Sequence, residues 1–388
     1  MIPKNWQWIS LLDSFINKTS SNKKIQQKDY LSKGKIAVVD QGQKLIGGYT
    51  NKIDLKYDGK LPIILFGDHT RCIKYIDFPF VQGADGVKIL EPQKCYLPKA
   101  LFYIMQSLNI PNLGYRRHFP LFKNYNIPLP PLDEQQRIVD IIENMFSKLD
   151  RAEALAQNII DNYELRRSAI LHKAFAGQLI KCDFQLMTIN SVCKSLIYGT
   201  SKKSSKFGKT IVIRMGNLQN GEIDWSNLAY SDDDDEIAKY NLSVGDVLFN
   251  RTNSAELVGK TSIYRGEYPA IYAGYLIKLD YDHNILIGDY FNYMLNAPEA
   301  KDYCQRIKTD GVNQSNINAK KIGAFEVPIP NIEEQKEIVR ILDNLLAKEQ
   351  QTKELAEQTL QRIDLMKKAI LAKAFRGELI NNGQVKCT

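Results

Sequence analysis

The chain repeats itself at a constant offset of 200 residues. Residues 127–180 align with residues 327–380 without a gap, and 21 of the 54 aligned pairs are identical. The segments before the two copies, residues 1–126 and 181–326, are much less alike, and residues 381–388 form a short tail. A repeat of this length is a whole structural unit. The sequence therefore predicts two different domains carried on two equivalent spacers.

Each spacer is predicted to begin extended and to continue as one long helix. Prolines hold the first residues extended, and Asp133-Glu134 and Glu333-Glu334 follow where a helix N-terminus favours negative charge. Gly177 and Gly377 stand where a C-terminal cap is expected. From Glu134 to Phe175, such a helix is a rod of roughly 60 Å.

Apolar residues in both copies recur at alternating spacings of four and three, which is typical of a coiled-coil seam. The predicted seam residues are Ile138, Ile142, Met145, Leu149, Ala152, Ala156, Ile159 and Tyr163, and then Ile338, Leu342, Leu345, Ala356, Ile363, Met366 and Ile370. Glu349, Thr352 and Thr359 interrupt the second seam. Two copies in one chain favour an antiparallel coiled coil with pseudo-twofold symmetry. This pair would hold the two domains apart at a distance set by the length of the helices.

The variable segments are predicted to be mixed, β-rich domains, so the expected fold class is α+β. Their β-rich runs are bounded by Gly, Asn and Asp. The predicted strands are Lys35–Val39, Pro62–Phe66, Gly86–Leu90, Thr210–Arg214, Asp246–Phe249 and Ala270–Ile277. Residues 5–10 resemble residues 183–188 in pattern. The duplication is therefore expected to include both domains, which have since diverged.

The net charge of +8 is concentrated in the first variable segment. Residues 1–126 carry 19 Lys and Arg against 9 Asp and Glu, whereas residues 187–326 carry 16 against 17. Phosphate contacts supply much of a protein's affinity for DNA, so the first balance suits a nucleic-acid surface. On charge alone, an ordinary solvated surface explains it equally well.

Composition and cysteine usage indicate a cytoplasmic protein. No apolar run approaches the roughly 18 residues of a membrane span, and the opening residues do not show the pattern of a signal peptide. The six cysteines form no C-x-x-C pair and the four histidines show no ligand spacing. We therefore predict no disulfide, no structural zinc and no cofactor.

The repeated motifs resemble those of a known family. A P-x-P-x-x-[DE]-E-Q-x-x-I-V opening and an A-F-x-G-x-L-I close occur at Pro128–Val139 with Ala174–Ile180, and again at Pro328–Val339 with Ala374–Ile380. Across essentially its full length, the sequence resembles the specificity subunit of a type I restriction-modification enzyme.

The two variable segments resemble different types of target-recognition domain in that family. The second carries the matching segments Arg214–Gln219, Gly245–Ser254 and Leu257–Lys260. The first carries Gln41-Gly42, Gly47–Thr50, Gly67–Arg71, Ala84–Gly86 and Gly114–His118. It lacks the G-D-x-L-F-x-R-T-N string of the second, so residues are not transferred between the two domains.

The resemblance implies a division of labour. Each domain would read one half of a bipartite site in double-stranded DNA, and the antiparallel spacer would set the distance and dock modification subunits, two in number. Through them it would bind ATP-dependent restriction subunits. The chain itself would be non-catalytic, within a complex that is a site-specific deoxyribonuclease and an adenine-specific DNA methyltransferase.

The sequence leaves two other classes of function open. A coiled-coil adaptor without DNA specificity would also explain the repeat. A self-sufficient nuclease or methyltransferase is disfavoured, because Gly208-Lys209-Thr210 and Gly259-Lys260-Thr261 lack the first glycine of a P-loop. No Asn/Asp-Pro-Pro-Tyr/Phe string for amino-methyl transfer occurs either, and Asp68–Arg71 has no visible partner nucleophile for acid-base catalysis.

Candidate DNA contacts follow from side-chain chemistry. Arg, Asn and Gln match the hydrogen-bonding groups of base edges, while Lys mainly holds phosphates. In the first domain the candidates are Gln41, Tyr49, His69, Arg71, Arg116, Arg117 and His118. In the second they are Lys202, Lys203, Arg214, Asn217, Gln219, Arg251, Asn253, Lys260, Asn313, Gln314 and Asn316.

Overall fold

A computed structural model describes residues 3–19, 23–83, 86–312 and 314–379. The chain divides into two compact units, one made of Met1–Gln157 with Glu357–Thr388 and the other of Asn158–Ala356. Each unit therefore combines one variable segment with parts of both repeats. Within the described ranges, no helix is both long enough and apolar enough to cross a membrane.

The first unit is built on two four-stranded sheets and a strand pair. Its strands β1 to β10 are Gln7–Ser10, Phe15–Asn17, Lys24–Ile25, Ile36–Val39, Gly48–Thr50, Ile63–Gly67, Ile73–Ile76, Phe80–Gly83, Val87–Pro92 and Asn126–Leu129. The sheet with order β2-β9-β6-β7 is antiparallel, while in the order β3-β8-β4-β5 the central strands β4 and β8 are parallel. β1 pairs with β10.

The second unit has more and shorter strands. Its strands β11 to β24 are Gln185–Thr188, Cys193–Tyr198, Thr210–Ile213, Leu218–Gln219, Glu222–Ile223, Tyr230–Ser231, Val247–Asn250, Thr252–Asn253, Thr261–Ile263, Ala270–Tyr272, Leu276–Tyr281, Thr309–Asp310, Ser315–Asn316 and Glu326–Ile329. The main sheets have the orders β12-β21-β17-β19, β16-β13-β20 and β18-β23-β22, and β11 pairs with β24. Each of the predicted β-rich runs contains a strand, and the run from Ala270 is divided into β20 and β21.

The helices are short inside the domains and long in the repeats. In chain order, α1 to α9 are Pro98–Ser107, Leu132–Asp161, Tyr163–Phe175, Ile189–Val192, Asp234–Tyr240, Gly288–Leu295, Pro298–Ile307, Ala319–Gly323 and Ile332–Ala374. The prediction of one continuous helix holds for the second repeat but not for the first, where Asn162 separates α2 from α3. There the backbone of Asn162 departs from helical geometry, with φ of −96° and ψ of 6°, although its nitrogen still donates to the oxygen of Asn158 at 3.2 Å.

Both units contain an antiparallel pair of helical segments. In the first unit, Ile138 and Ile142 share a core with Ile370 and Ala374, and further along Lys367 lies 2.7 Å from Asp150. Along this pair, residue numbers rise in the first repeat as they fall in the second, so the two helical segments are antiparallel.

The second unit has the same arrangement. Leu171 and Phe175 share its core with Ile338 and Leu342. Farther from that core, the Nε of Arg166 donates to the carboxylate of Glu349 at 2.7 Å. This ion pair explains why an acidic residue interrupts the apolar seam at Glu349.

Not every predicted seam residue is buried. Ile138, Ile142, Ala156, Ile338, Leu342, Ala356, Ile363 and Ile370 are buried. Met145 and Met366 are 38% and 50% exposed instead. A strict four-three spacing was therefore wrong at these two positions, because the helices also pack against the domains and the buried stripe shifts toward them, as at Leu371.

The two domains enter and leave the repeats in the same way. β1 pairs with β10 so that Gln7 faces Leu129, and β11 pairs with β24 so that Gln185 faces Ile329. The hydroxyls of Ser10 and Thr188 then cap the helical turns that follow. The predicted correspondence between residues 5–10 and 183–188 is confirmed.

A buried glutamine joins each domain to its helix. The amide of Gln135 donates to the backbone oxygens of Cys95 and Pro130 and accepts from the backbone nitrogen of Leu97, at 2.8 to 2.9 Å. Gln335 makes the same three bonds, to the oxygens of Ile285 and Pro330 and the nitrogen of Ile287. The donors and the acceptor of these two buried side-chain amides thus all have partners.

The predicted glycine caps are confirmed. Gly177 and Gly377 have φ of +70° and +77°, a conformation that suits glycine. The backbone nitrogens of Gln178 and Glu378 donate to the oxygens of Lys173 and Lys373, which is the Schellman pattern at the end of a helix.

Candidate nucleic-acid interface

Five of the predicted DNA contacts in the second domain line one cleft of about 620 Å³. They are Lys202, Lys203, Arg214, Arg251 and Asn316. The cleft lies between the loop that follows β12 and the ends of β13, β17 and β20. Residues separated by more than 100 positions in sequence are brought together here, and four of the five carry positive charge.

Arg251 is held in a fixed position in this cleft. Its guanidinium lies 4.9 Å from the ring centre of Tyr198, a cation–π arrangement. One terminal nitrogen donates to the backbone oxygen of Gly274 at 3.4 Å, and the other donates to the side-chain oxygen of Asn316 at 3.2 Å. Within the described ranges its buried Nε has no hydrogen-bond partner. The group is therefore rigid, with donor capacity left over.

Arg214 stands between this cleft and a neighbouring one of about 400 Å³. Its terminal nitrogen donates to the backbone oxygen of Asn227 at 3.1 Å, and its buried Nε is also unpartnered among the described atoms. The second cleft contains four further predicted residues, namely Asn217, Gln219, Asn253 and Lys260. The two clefts thus adjoin at Arg214.

Lys260 and Gln219 form a pair in the second cleft. The ammonium of Lys260 donates to the side-chain oxygen of Gln219 at 2.9 Å, and the Gln219 amide donates to the backbone oxygen of Gly216 at 2.9 Å. Burial lowers the pKa of Lys260, because the charged form loses hydration. An anion entering this cleft would restore favourable surroundings to the charged ammonium.

Two of the predicted asparagines form hydrogen bonds with the backbone of their own loops. Asn217 is buried, accepts from the backbone nitrogen of Arg214 and donates to the oxygens of Asp224 and Asn227, so its amide is fully used. Asn253 accepts from the backbone nitrogen of Ser254 at 2.8 Å, which is a turn contact. We therefore assign Asn217 a structural role in shaping the loop that carries Arg214.

The lysines at the rim of the first cleft differ in their partners. Lys202 donates to Asp233 at 2.5 Å, and this bond raises the pKa of Lys202. Lys203 is exposed, and the part of the chain that the structure describes gives it no ion-pair partner. Of the two, Lys203 has the ammonium available to a phosphate.

A short hairpin extends from the first cleft. β22 and β23 are joined by residues 311–314, where Val312 is fully exposed and Gln314 is exposed. Asn316 at the base of the hairpin donates to the hydroxyl of Thr252 at 2.8 Å. Asn313, also a predicted contact, lies outside the described residues.

In the first domain, three loops bring predicted residues together. The side-chain oxygen of Gln41 accepts from the backbone nitrogen of His69 at 3.2 Å. The His69 ring stacks on Tyr115, with ring centres 4.9 Å apart and planes tilted by 15°. Tyr115 is 87% exposed, and Arg116 and Arg117 beside it are exposed as well. This cluster is an aromatic and cationic tip suited to a nucleic acid.

His118 does not belong to the exposed tip. It is completely buried, its Nδ1 donates to the backbone oxygen of Asp68 at 2.9 Å, and its Nε2 accepts from the backbone nitrogen of Leu113 at 3.1 Å. This pattern requires the neutral ring with the proton on Nδ1. His118 therefore anchors the loop behind Tyr115, and its proposed contact with DNA is withdrawn.

Arg71 and Tyr49 are placed apart from the tip. Arg71 has φ of +62°, and its guanidinium donates to the backbone oxygen of Ile110 at 2.9 Å, facing a cleft of about 760 Å³ beside α1. Tyr49 is half-buried on β5 in the other sheet. The structure thus groups Gln41, His69, Arg116 and Arg117 but leaves these two elsewhere.

Sequence reasoning missed the two aromatic residues that position predicted ones. Tyr198 lies under Arg251, and Tyr115 stacks on His69. Tyr115 stands inside the Gly114–His118 motif, so its neighbours were a signal. Tyr198 had none, because its contact depends on the pairing of β12 with β21 and on the loop from β17. Among the described residues, no group of three or more His, Cys, Asp or Glu is arranged to hold a metal ion.

These features agree with comparisons to known proteins. The type I restriction modification DNA specificity domain matches residues 3–160 and again residues 182–361. Together these matches cover most of the chain, and the chain belongs to this family of type I restriction-modification specificity subunits. The resemblance inferred from the repeated motifs is confirmed.

Relatives with assigned names include two subunits from Escherichia coli. The EcoKI specificity subunit of strain K12 is 27% identical over 272 residues, covering 66% of this chain and 58% of that protein. The chain thus spans under two thirds of that relative's length. The EcoR124I/EcoR124II specificity subunit is 24% identical over 343 residues, covering 82% of this chain and 81% of the relative.

Solved structures show the same fold. A chain from a structure of a type I R-M system has a TM-score of 0.71 at 18% identity and covers 97% of this chain and 99% of its own length. The HsdS subunit from Thermoanaerobacter tengcongensis has a TM-score of 0.59 at 17% identity, covering 97% and 98% respectively. The mixed helix-and-sheet architecture with two domains is therefore that of HsdS proteins.

Proposed function

We propose that this chain selects the DNA sequence acted on by a type I restriction-modification complex, with each domain reading one half of a bipartite site. The observation that carries the proposal is the clustering of Lys202, Lys203, Arg214, Arg251 and Asn316 around one cleft. Arginine side chains that are fixed in place and still have unused N–H donors can bond to base edges or phosphates. Lys203, which has no ion-pair partner among the described residues, can bond to the phosphate backbone.

In this proposal, each range of the chain has its own role. We assign recognition to residues 1–126 and 181–326, spacing to residues 127–180 and 327–380, and no role to the tail. In the first domain, the tip formed by Gln41, His69, Tyr115, Arg116 and Arg117 is the proposed DNA surface. The net charge of that segment supports it, because it favours phosphate binding.

The repeats are proposed to form an antiparallel coiled coil with pseudo-twofold symmetry that spaces the readers and docks the partners. The antiparallel helix pair in each unit supports this arrangement. Exposed leucines occupy equivalent positions in the two copies, as Leu155 with Leu355 and Leu165 with Leu365. Equivalent apolar positions suit two copies of one partner, which we take to be the modification subunit, with restriction subunits bound through it.

Catalysis is assigned to the partners. We propose that this chain supplies no catalytic group and no cofactor, and that methyl transfer, ATP-driven motion and cleavage belong to the other subunits. An adaptor without DNA specificity remains the competing function, although the grouped arginines favour a DNA reader. Cytoplasmic localisation stays a prediction.

Selection from a pool of randomised DNA duplexes tests the proposal. The full chain, with its modification partner, should enrich duplexes containing two specified blocks separated by a spacer of constant length. Replacing residues 1–126 with the first domain of another family member should change one block and leave the other intact. An adaptor would enrich no sequence, and a single composite DNA surface would change both blocks.

Spacer length is expected to follow helix length. Deleting one heptad from each repeat, Leu149–Leu155 together with Glu349–Leu355, keeps the seam in register but shortens the helices by about 10 Å. This corresponds to roughly three base pairs of DNA. The same selection should then return unchanged blocks with a shorter spacer.

A matched control separates helix length from other damage. The deletion removes Glu349, the partner of Arg166, and also Asp150 and Glu153, the partners of Lys367. Glu349→Gln and Lys367→Gln at full length show what these losses alone do. Both should leave the spacer unchanged. If the shortened chain also keeps the original spacer at full affinity, the helices dock partners and do not measure DNA.

A further inference from the structure

A helix residue outside the second recognition domain contacts the loop that carries its predicted base readers. Arg167 belongs to α3, in the first repeat, and is buried. Its terminal nitrogen donates to the backbone oxygen of Asn220 at 3.1 Å. Asn220 and Gly221 both have positive φ, of +54° and +90°, and form the tight turn between β14 and β15.

This turn is fixed from several sides. The Asn292 amide donates to the oxygen of Gly221 at 2.9 Å, and the Ser262 hydroxyl donates to the oxygen of Glu222 at 2.8 Å. Lys260 holds Gln219, the residue before Asn220. These three partners come from the domain itself, whereas Arg167 connects the hairpin to a spacer helix.

The hairpin is continuous with the loops that line the second cleft. β14 carries Gln219 in the second cleft and directly follows the turn Met215–Asn217, which begins at Arg214. Asn217 is tied to Asp224 on the far side of the hairpin by the bond from its amide. A displacement of the Asn220 turn would therefore move Gln219 and the Arg214 loop together.

The equivalent position of the second repeat behaves differently. Lys367, offset by 200 residues from Arg167, lies 2.7 Å from Asp150 and 2.6 Å from Glu153, both on α2. It thus links helix to helix rather than helix to domain. The contact made by Arg167 is specific to the second unit and is not a general requirement of the repeat.

We infer that Arg167 is a positioning residue that holds the Gln219 and Arg214 loops in register for the second half-site. The inference rests on the proposed DNA-reading function. It predicts that specificity for one half-site depends on a side chain of the spacer, outside the domain that reads it. Arg167 contacts no DNA in this scheme and acts through the turn at Asn220.

The test is duplex selection with the full-length Arg167→Gln variant. We expect about a tenfold loss of preference in the second block, because a partly buried hydrogen bond from a charged donor is lost. The first block should be unchanged. The second block is identified as the one that stays intact when residues 1–126 are replaced by the first domain of another family member. Lys367→Gln is the matched control, and it should leave preference in the second block intact.

The outcomes separate this inference from the function on which it rests. Wild-type chain that enriches no sequence overturns the proposed function. Wild-type chain with two blocks, both kept by Arg167→Gln or both weakened equally, overturns only the role of Arg167. If Arg167→Gln does not fold, Arg167→Lys keeps the charge and should show a smaller loss confined to the second block. A loss shared by both blocks would count against it.

Discussion

Replacing Arg251 with glutamine should abolish preference for one base pair of the second half-site. A well-placed arginine contributes roughly 1–3 kcal/mol of discrimination between bases, which corresponds to about a 5- to 150-fold preference. Arg251 is well placed because Tyr198, Gly274 and Asn316 fix its plane before DNA arrives. The measurement is the affinity for matched duplexes that differ at single positions.

Lys203→Gln is the matched control for a phosphate contact. Lys203 lines the same cleft but is exposed and unpaired among the described residues. Its loss should weaken binding to all duplexes alike and reduce the salt dependence of affinity, with the slope falling by about 0.9. If Arg251→Gln gives this uniform pattern instead, Arg251 binds the backbone and another residue reads the base.

Gln335→Leu should destabilise the second unit by about 3 kcal/mol or more. The substitution leaves the partly buried N–H of Ile287, the partly buried carbonyl of Ile285 and the buried carbonyl of Pro330 without this partner, and each such group costs up to about 1–3 kcal/mol. The midpoint of urea unfolding, monitored separately for the two units, measures the loss. Separate monitoring is needed because two units need not unfold in one transition.

Two further variants serve as comparisons for this experiment. Gln135→Leu should produce a similar loss in the first unit, since its three hydrogen bonds are equivalent. Gln136→Leu, one residue away but exposed and bonded to Asp140, should change stability little. Equal effects of Gln135→Leu and Gln136→Leu would show that the buried amide does not stabilise the joint.

Patterns that depend on near neighbours were predictable from the sequence. The glycine caps, the acidic first turns and most of the apolar stripe arise from contacts within a few residues, and Asn331 and Glu334 cap α9 reciprocally as such a sequence predicts. The exposure of Met145 and Met366 was not predictable in this way. It depends on how the domains cover the helices, which spacing alone does not encode.

The same contrast between contacts of near neighbours and contacts of distant residues applies to the candidate site. Residue chemistry was enough to nominate Arg251 and Asn316, but not to show that they bond to each other across 65 positions. His118 follows Arg116 and Arg117 in sequence, but its ring bonds to the backbone oxygen of Asp68, which lies 50 residues earlier. Long-range pairing decides which polar residues face outward, and a single sequence does not display it.

The glutamine joints have a consequence for how such a protein can evolve. On the domain side, Gln135 and Gln335 bond only to backbone groups, at Cys95 and Leu97 and at Ile285 and Ile287. Every amino acid except proline offers the same N–H and C=O. A domain can therefore change its side chains around these positions, or be exchanged by recombination for a distant one, without losing its attachment. The joint bonds to backbone atoms of the domain and does not depend on particular side chains there. The sequence of the attached domain, and with it the DNA target, can therefore change under selection.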